Sequence, residues 1–376
     1  MIRFGWFSML LLIGAAEGGL VAALLASRRR NRTANALLAT IIFAYVLHIT
    51  PFIIGYAGFY DAYPWLSFAP FSITLAYGPL IYLYVTRVTL GHLDRRWCLH
   101  VLPAALQFAY LSIVFVQPLP FKNAWDVRIH EPWIVPLETI ATYLSLFGYT
   151  SAAVVRYDRY RRWLRETTTD PHDAQLGWLR SFLVLFGITL VLNVGFDGVN
   201  YVIHRLSYFA YFPLYLWYAA LVFYLGLEGW KNESHAMPSG VMQKPEKRSE
   251  APIDAGLEAT WWCASMQKGG YFRDPDLTLA KLAVALGASQ ARITRAVNDG
   301  LGQNFSEAVN HLRVRDVVRR LEDPLEQRDL LELALASGFS SKQTFNRCFR
   351  RIVGTTPSAY RRSVRRDTTS QVALDA

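Results

Sequence analysis

Cysteine is scarce in this chain. Cys98, Cys263 and Cys348 are the only three, far apart in sequence, with no CxxC pair and no Cys/His spacing of the kind that holds zinc. They predict no metal site and fit a reduced or membrane-buried setting. Also missing are a phosphate-cradling Walker loop, a GxGxxG turn and an HExxH helix; His130-Glu131 runs into Pro132 and lacks the second histidine. These absences remove most of the support for an enzyme, and no cofactor is expected. Charged residues make up only 18% of the chain against 52% hydrophobic, where a soluble domain has about 25% charged.

Long apolar runs take the place of charge. Seven stretches, 5–26, 34–57, 67–90, 97–117, 133–155, 177–202 and 206–228, approach or exceed the length needed to cross a bilayer, which is roughly 20 helical residues. Trp and Tyr stand near many of their ends, as at membrane interfaces. The predicted fold class is all-α: a seven-helix transmembrane bundle over 1–230, a flexible linker over 231–253, and a cytoplasmic domain over 254–376.

Basic residues orient the bundle, because cytoplasmic loops are enriched in Arg and Lys. One set of loops holds Arg28, Arg29, Arg30 and Arg32, then Arg87, Arg95 and Arg96, then Arg156, Arg159, Arg161, Arg162 and Arg165; the other offers Arg3, Lys122, Arg128 and Arg205. The N-terminus is therefore expected outside. An odd number of spans then carries everything after Trp230 into the cytoplasm. Four arginines follow the first span and only Arg3 precedes it, the reverse of a secretory signal, so that span reads as a retained anchor.

Several polar residues fall inside these runs. Glu17 lies in the first, Glu138 in the fifth, and Asp197 in the sixth beside Asn193 and Asn200. A carboxylate there costs several kcal/mol unless neutral, paired or wetted. Two explanations stand: Glu17, Glu138, Asn193 and Asp197 form a pocket for a signal molecule or proton, or they hydrogen-bond the helices together. His48 and His100 read as packing or interfacial residues.

The linker, KNESHAMPSGVMQKPEKRSEAP, has no apolar periodicity and reads as a tether. Beyond it, Asp254 to Tyr271 suggests a short helix packing through Leu257, Trp261 and Trp262. From Tyr271 to Arg366 basic residues accumulate, which points to a polyanionic partner. This region repeats itself at an offset of 52: Ser289 with Ser341, Ile293 with Phe345, Arg295 with Arg347, Gly302 with Gly354, Ser306 with Ser358.

In the first copy Leu279, Leu282, Ala283 and Leu286 keep helical spacing and stop at Gly287; Ser289 then caps a second helix with Ile293, Ala296 and Val297 inward. Its outer face carries Gln290, Ala291, Thr294, Arg295 and Asn298. The second copy has Leu330, Leu333 and Ala334, then Gly338, then Ser341 before Phe345, Cys348, Phe349 and Ile352, with Lys342, Gln343, Asn346, Arg347 and Arg350 outward. A helix, a glycine turn and a second helix with a hydrogen-bonding outer face is a helix-turn-helix unit, whose second helix enters the major groove of double-stranded DNA. Arg, Asn, Gln and Lys have the donors and acceptors to read base edges there.

A capping-box helix over Phe305 to Glu322 joins the copies. It suits two recognition helices set in successive grooves, about 34 Å apart, on an asymmetric site of about 20 base pairs. Thr356-Pro357 opens a last helix, Ser358 to Arg366, whose Arg361 is expected at phosphate.

The stretch GFSSKQTFNRCFRRIVGTTPSAYRR, Gly338 to Arg362, resembles the second helix-turn-helix and closing segment of the AraC/XylS family of bacterial regulators, and LTLAKLAVALGASQARITRAVNDGLGQNF resembles the first. The likeness covers roughly Asp274 to Arg366. It implies base reading by Gln290, Ala291, Thr294 and Arg295 and by Lys342, Gln343, Asn346 and Arg347, with the methyl of Ala291 a departure from larger side chains. It implies transcription regulation, tilted toward activation, with RNA polymerase as a partner beside DNA. The bilayer of a bacterial cytoplasmic membrane and an unidentified signal molecule complete the expected partners; oligomeric state stays open, a homodimer among the options. The competing reading is a transporter or membrane enzyme with an autoregulatory DNA-binding domain.

Overall fold

The computed structural model describes residues 2–29, 31–169, 173–232, 254–323 and 325–374. Among them the fold is all-α, with no named strand and one isolated antiparallel bridge, Thr168 with Thr278. The chain divides into two compact units, one of residues 1–158 and 174–241, the other of 159–173 and 242–376. Most of the expected linker, 233–253, lies outside the described residues; Lys231 and Asn232 still belong to a helix.

Seven principal helices build the first unit: α1 (Trp6–Ser27), α2 (Arg32–Tyr56), α3 (Tyr77–Leu90), α4 (Trp97–Phe115), α5 (Val135–Thr167), α6 (Asp173–Gly198) and α7 (Phe212–Asn232). The end of α5, from Arg159, groups with the second unit. Among the described residues five helical stretches are long and apolar enough to cross a membrane: Trp6–Ser27, Arg32–Tyr56, Trp97–Phe115, Gly177–Ile203 and Tyr208–Lys231. The two remaining sequence runs differ for physical reasons. Of 67–90, only α3 is regular helix; Pro70 disfavours helical geometry at Ala69, and Phe68 sits at φ +63°. At 14 residues, α3 measures about 21 Å, and most of its side chains are buried by neighbours. The 133–155 run lies at the start of α5, where Glu138, Thr139, Thr142 and Ser145 dilute the apolar residues.

Close packing in this unit uses small residues. α1 turns Gly14 and Gly18 to α7, where a β-carbon on Gly18 would stand 2.1 Å from the Val222 side chain and one on Gly14 2.7 Å from that of Ala219. This is the Gly-x-x-x-Gly arrangement that lets helix backbones approach.

The second unit holds α8 (Ala255–Gly269), α9 (Leu279–Leu286), α10 (Gln290–Arg295), α11 (Phe305–Leu321), α12 (Leu330–Ala336), α13 (Lys342–Val353) and α14 (Pro357–Leu374). It has two cores that share α11. Trp262 and Met266 of α8, Leu282 of α9, Ile293 of α10 and Phe305, Val309 and Leu312 of α11 make the first. Val314, Val317 and Leu321 from the other half of α11 join Leu333, Phe339, Phe345 and Phe349 in the second. Leu257, expected on the packing face of α8, is 67% exposed: Trp262 and Met266, four residues apart, define the buried stripe instead.

Candidate functional site

The two helix-turn-helix units are built by the same local chemistry. Thr278 and Asp329 cap α9 and α12, accepting from the backbone N–H of Lys281 and Leu331. Both helices end on a left-handed glycine, Gly287 at φ +60° and Gly338 at φ +95°. In both, the next N–H closes the turn onto a carbonyl five residues back, Ala288 to Ala283 and Phe339 to Ala334, each at 3.0 Å. Ser289 and Ser341 then cap α10 and α13 by accepting from the N–H three residues on. The second turn is one residue longer, so the repeat runs at 51 up to the glycines and 52 beyond them.

The faces follow. On α13, Thr344, Phe345, Cys348 and Phe349 are buried, while Lys342, Gln343, Asn346, Arg347 and Arg350 are exposed. In the first copy Ile293 is buried, Gln290 exposed, and Ala291, Thr294 and Arg295 half-buried. Asn298 is exposed but lies in a π turn, Ala296–Gly300, that follows α10. Gly300 allows α8 to come close there: a β-carbon would stand 2.4 Å from the Ala255 carbonyl oxygen. The second copy has Ile352 at the matching place and continues as regular helix to Val353.

Arg347 and Arg350, with Asn346 and Arg351, line a recess that is closed by Thr356, Pro357 and Ser358. Pro357 is the first residue of α14, and the Thr356 hydroxyl accepts from the Ala359 N–H at 3.3 Å. Arg361, one turn on, is half-buried, and α14 runs past the expected Arg366 to Leu374.

Other arginines of this unit face inward, which the sequence did not reveal. Arg292 donates from Nε to both carboxylate oxygens of the buried Glu258, at 3.0 and 2.8 Å, and lies over the Trp261 ring. Asp316 accepts from Arg273, Arg319, Arg320 and the Ser337 hydroxyl. Burial by itself raises its carboxyl, but the hydrogen bonds from Arg273 and Ser337 and the charges of Arg320 and Arg273 together hold it below its ordinary value. Arg313, fully buried, donates to the carbonyls of Phe272 and Asp274, each at 2.7 Å, and to the Thr169 hydroxyl at 3.2 Å. Thr169 also donates to the Leu277 carbonyl, and its own carbonyl accepts from Ser306 and Asn310.

A cavity of about 200 Å³ opens in the first unit. It brings together Glu138, Asn193 and Asp197, three of the four residues picked out as signal-sensing. Glu17 is not among its lining residues; it sits half-buried on α1 beside the Gly14–Gly18 stripe. Tyr143 donates to Asp197 at 2.5 Å and Tyr218 to Asn193 at 2.6 Å. Gln107 and Thr74 donate to Glu138. His48 and the rings of Tyr45, Tyr77 and Tyr215 complete the wall. Among the described residues no group of three or more His, Cys, Asp or Glu is placed to hold a metal.

A family model described as a helix-turn-helix domain matches residues 282–363. An uncharacterized HTH-type transcriptional regulator of Staphylococcus aureus (strain MSSA476) is 29% identical over 86 residues, 23% of this chain and 11% of the relative. The probable transcription factor PqrA of Proteus vulgaris is 29% identical over 89 residues, 24% of this chain and 71% of the relative. The chain thus spans 11% of the length of the staphylococcal relatives that it matches. No solved structure matches. The C-terminal part of the chain is a DNA-binding helix-turn-helix domain of the AraC type.

Proposed function

We propose that the whole chain is a membrane-anchored, sequence-specific transcription regulator whose helical bundle senses a signal. The observation that carries this reading is the presence, on one chain, of five helical stretches able to cross a bilayer and a DNA-binding domain with a polar outer face on each recognition helix. α3 and α5 complete a bundle of seven. They fall short of the others in length or apolarity because α3 is wrapped by its neighbours and α5 presents Glu138, Thr142 and Tyr143 to the cavity. The arginine-rich loops support an N-terminus outside and a DNA-binding domain in the cytoplasm. The cavity supports sensing, since ionisable groups inside a membrane bundle mark ligand or proton sites and Glu138 and Asp197 border open space here.

Base reading falls to Gln290, Ala291, Thr294, Arg295 and Asn298 in one groove and to Lys342, Gln343, Asn346, Arg347 and Arg350 in the next, with Arg361 at phosphate. RNA polymerase is the partner through which bound protein would act on transcription.

Membrane vesicles bearing the full-length chain test this directly. Inverted vesicles, with the cytoplasmic face outward, should capture a discrete set of genomic DNA fragments, and right-side-out vesicles none. Protein released by an alkaline wash would show that it is not anchored; capture by right-side-out vesicles would reverse the topology.

A further inference from the structure

We propose that the cavity of the first unit is a binding site for a small organic cation, an ammonium attached to a single ring or a short alkyl group. The proposal deepens the sensor reading above and rests on it for its biological meaning, though not for its chemistry.

Charge comes first. Glu138 and Asp197 both line the cavity, and no Lys or Arg does. Their hydrogen bonds come from neutral groups, Gln107 and Thr74 to Glu138 Oε1 and Tyr143 to Asp197 Oδ2. Neither carboxylate forms a salt bridge with a described residue. Two carboxylates in a space of low dielectric, without a counter-ion, are unfavourable. A ligand that brings a positive charge relieves this, and an anionic ligand makes it worse.

The walls point the same way. Six tyrosines line the space: Tyr45, Tyr77, Tyr143, Tyr211, Tyr215 and Tyr218. Tyr45 stacks on Tyr77 with ring centroids 4.4 Å apart and stands 5.5 Å from Tyr218, while the Tyr215 ring lies 5.6 Å from that of His48. Aromatic faces carry negative potential, and a cage of them is a recognised way to hold an ammonium. Glu138 Oε2 and Asp197 Oδ1 receive no hydrogen bond from a described group, so each has lone pairs for ligand N–H donors.

Size narrows the class. A cavity of about 150 Å³ takes a benzene ring, and drug-sized ligands need roughly 300–1,000 Å³. At about 200 Å³ this one suits one ring with a short ammonium arm. Polyamines and peptides are too long.

The test uses the full-length chain in lipid nanodiscs at fixed pH, with benzylammonium as probe and benzyl alcohol and benzoate as neutral and anionic probes of the same shape. Binding is read by calorimetry. Benzylammonium should bind saturably and the other two at least about tenfold more weakly, the scale of one charge-assisted hydrogen bond. Asp197→Asn and Glu138→Gln, which keep shape, should each weaken benzylammonium by about tenfold to a hundredfold. An unchanged thermal unfolding transition of the variants in the nanodisc, followed by tryptophan fluorescence, shows that the bundle folds. Benzyl alcohol or benzoate binding as well as benzylammonium, no binding of benzylammonium, or unchanged affinity in both variants would each overturn the proposal. Transcription from a captured promoter separates the two readings. Ammonium binding without any change in transcription sinks the sensor and leaves the site. Altered transcription in the variants without ammonium binding sinks the site and leaves the sensor.

Discussion

Arg313 donates to the hydroxyl of Thr169 across 144 residues of chain. Its guanidinium sits where the two cores of the DNA-binding unit meet on α11, between Leu312 of the first and Val314 of the second. Thr169 enters from the segment after α5 and is itself fully buried. A residue of the loop segment thus completes the polar filling of the helix that spaces the two recognition helices.

Removing either partner should therefore weaken the unit unequally. Arg313→Ala leaves the carbonyls of Phe272 and Asp274 without their donor, and each unsatisfied acceptor costs about 1–3 kcal/mol. A total loss of roughly 2–6 kcal/mol is expected. Thr169→Val keeps the shape and the backbone bonds and loses only the hydroxyl, for about 1–2 kcal/mol. Denaturant unfolding of the full chain, followed by the fluorescence of buried tryptophans such as Trp262, measures both. Equal effects would contradict the geometry.

Asp316 makes the same unit sensitive to acid. Its carboxyl is held below the ordinary value of 3.8, so the folded state binds its proton less readily than the unfolded chain does. The contribution is complete above the unfolded value and disappears as pH falls through the folded one. The stability of the unit should drop in that acid window in the native protein, and Asp316→Asn should flatten the drop while lowering stability at neutral pH by about 1–3 kcal/mol. Unfolding midpoints taken across the acid range decide it.

Much of the DNA-binding unit was legible in sequence because its signals are local. Ser289 and Ser341 cap through their own next turn, and Gly287 and Gly338 end helices for reasons contained within a few residues. Thr169 gave no such signal, since its partners Ser306, Asn310 and Arg313 lie 137 to 144 residues away. The basic excess was legible but overstated as a DNA-facing charge: Arg273, Arg292, Arg313 and Arg320 all donate to internal acceptors. In the first unit Glu138 and Asp197 announced themselves as acids in apolar runs. The tyrosines around them did not, because aromatics at helical spacing occur on any buried face.

The two turn glycines should respond differently to alanine. At Gly287 the added methyl meets nothing within 4 Å, so Gly287→Ala costs only the left-handed backbone penalty, about 1–2 kcal/mol. At Gly338 the same methyl would stand 2.5 Å from the Phe272 carbonyl oxygen and 2.8 Å from the Arg273 α-carbon. Overpacking of backbone adds about 1–3 kcal/mol. Gly338→Ala should be the more damaging in thermal unfolding and should remove reading of the second half-site.

Two kinds of arginine should separate in DNA binding. Arg347 is on the exposed face of α13, where a bidentate contact to guanine is available. Arg347→Ala should weaken the specific site by about 1–3 kcal/mol and relax preference at one position. Arg361, on α14, is proposed to contact phosphate, which carries no sequence information. Arg361→Ala should weaken every sequence alike and lower the slope of log affinity against log salt by about 1. Titrations of matched and scrambled DNA at several salt concentrations distinguish the two. A salt slope that falls with Arg347→Ala while specificity survives would move Arg347 to the backbone and leave Lys342, Gln343 and Asn346 as the base readers of that helix.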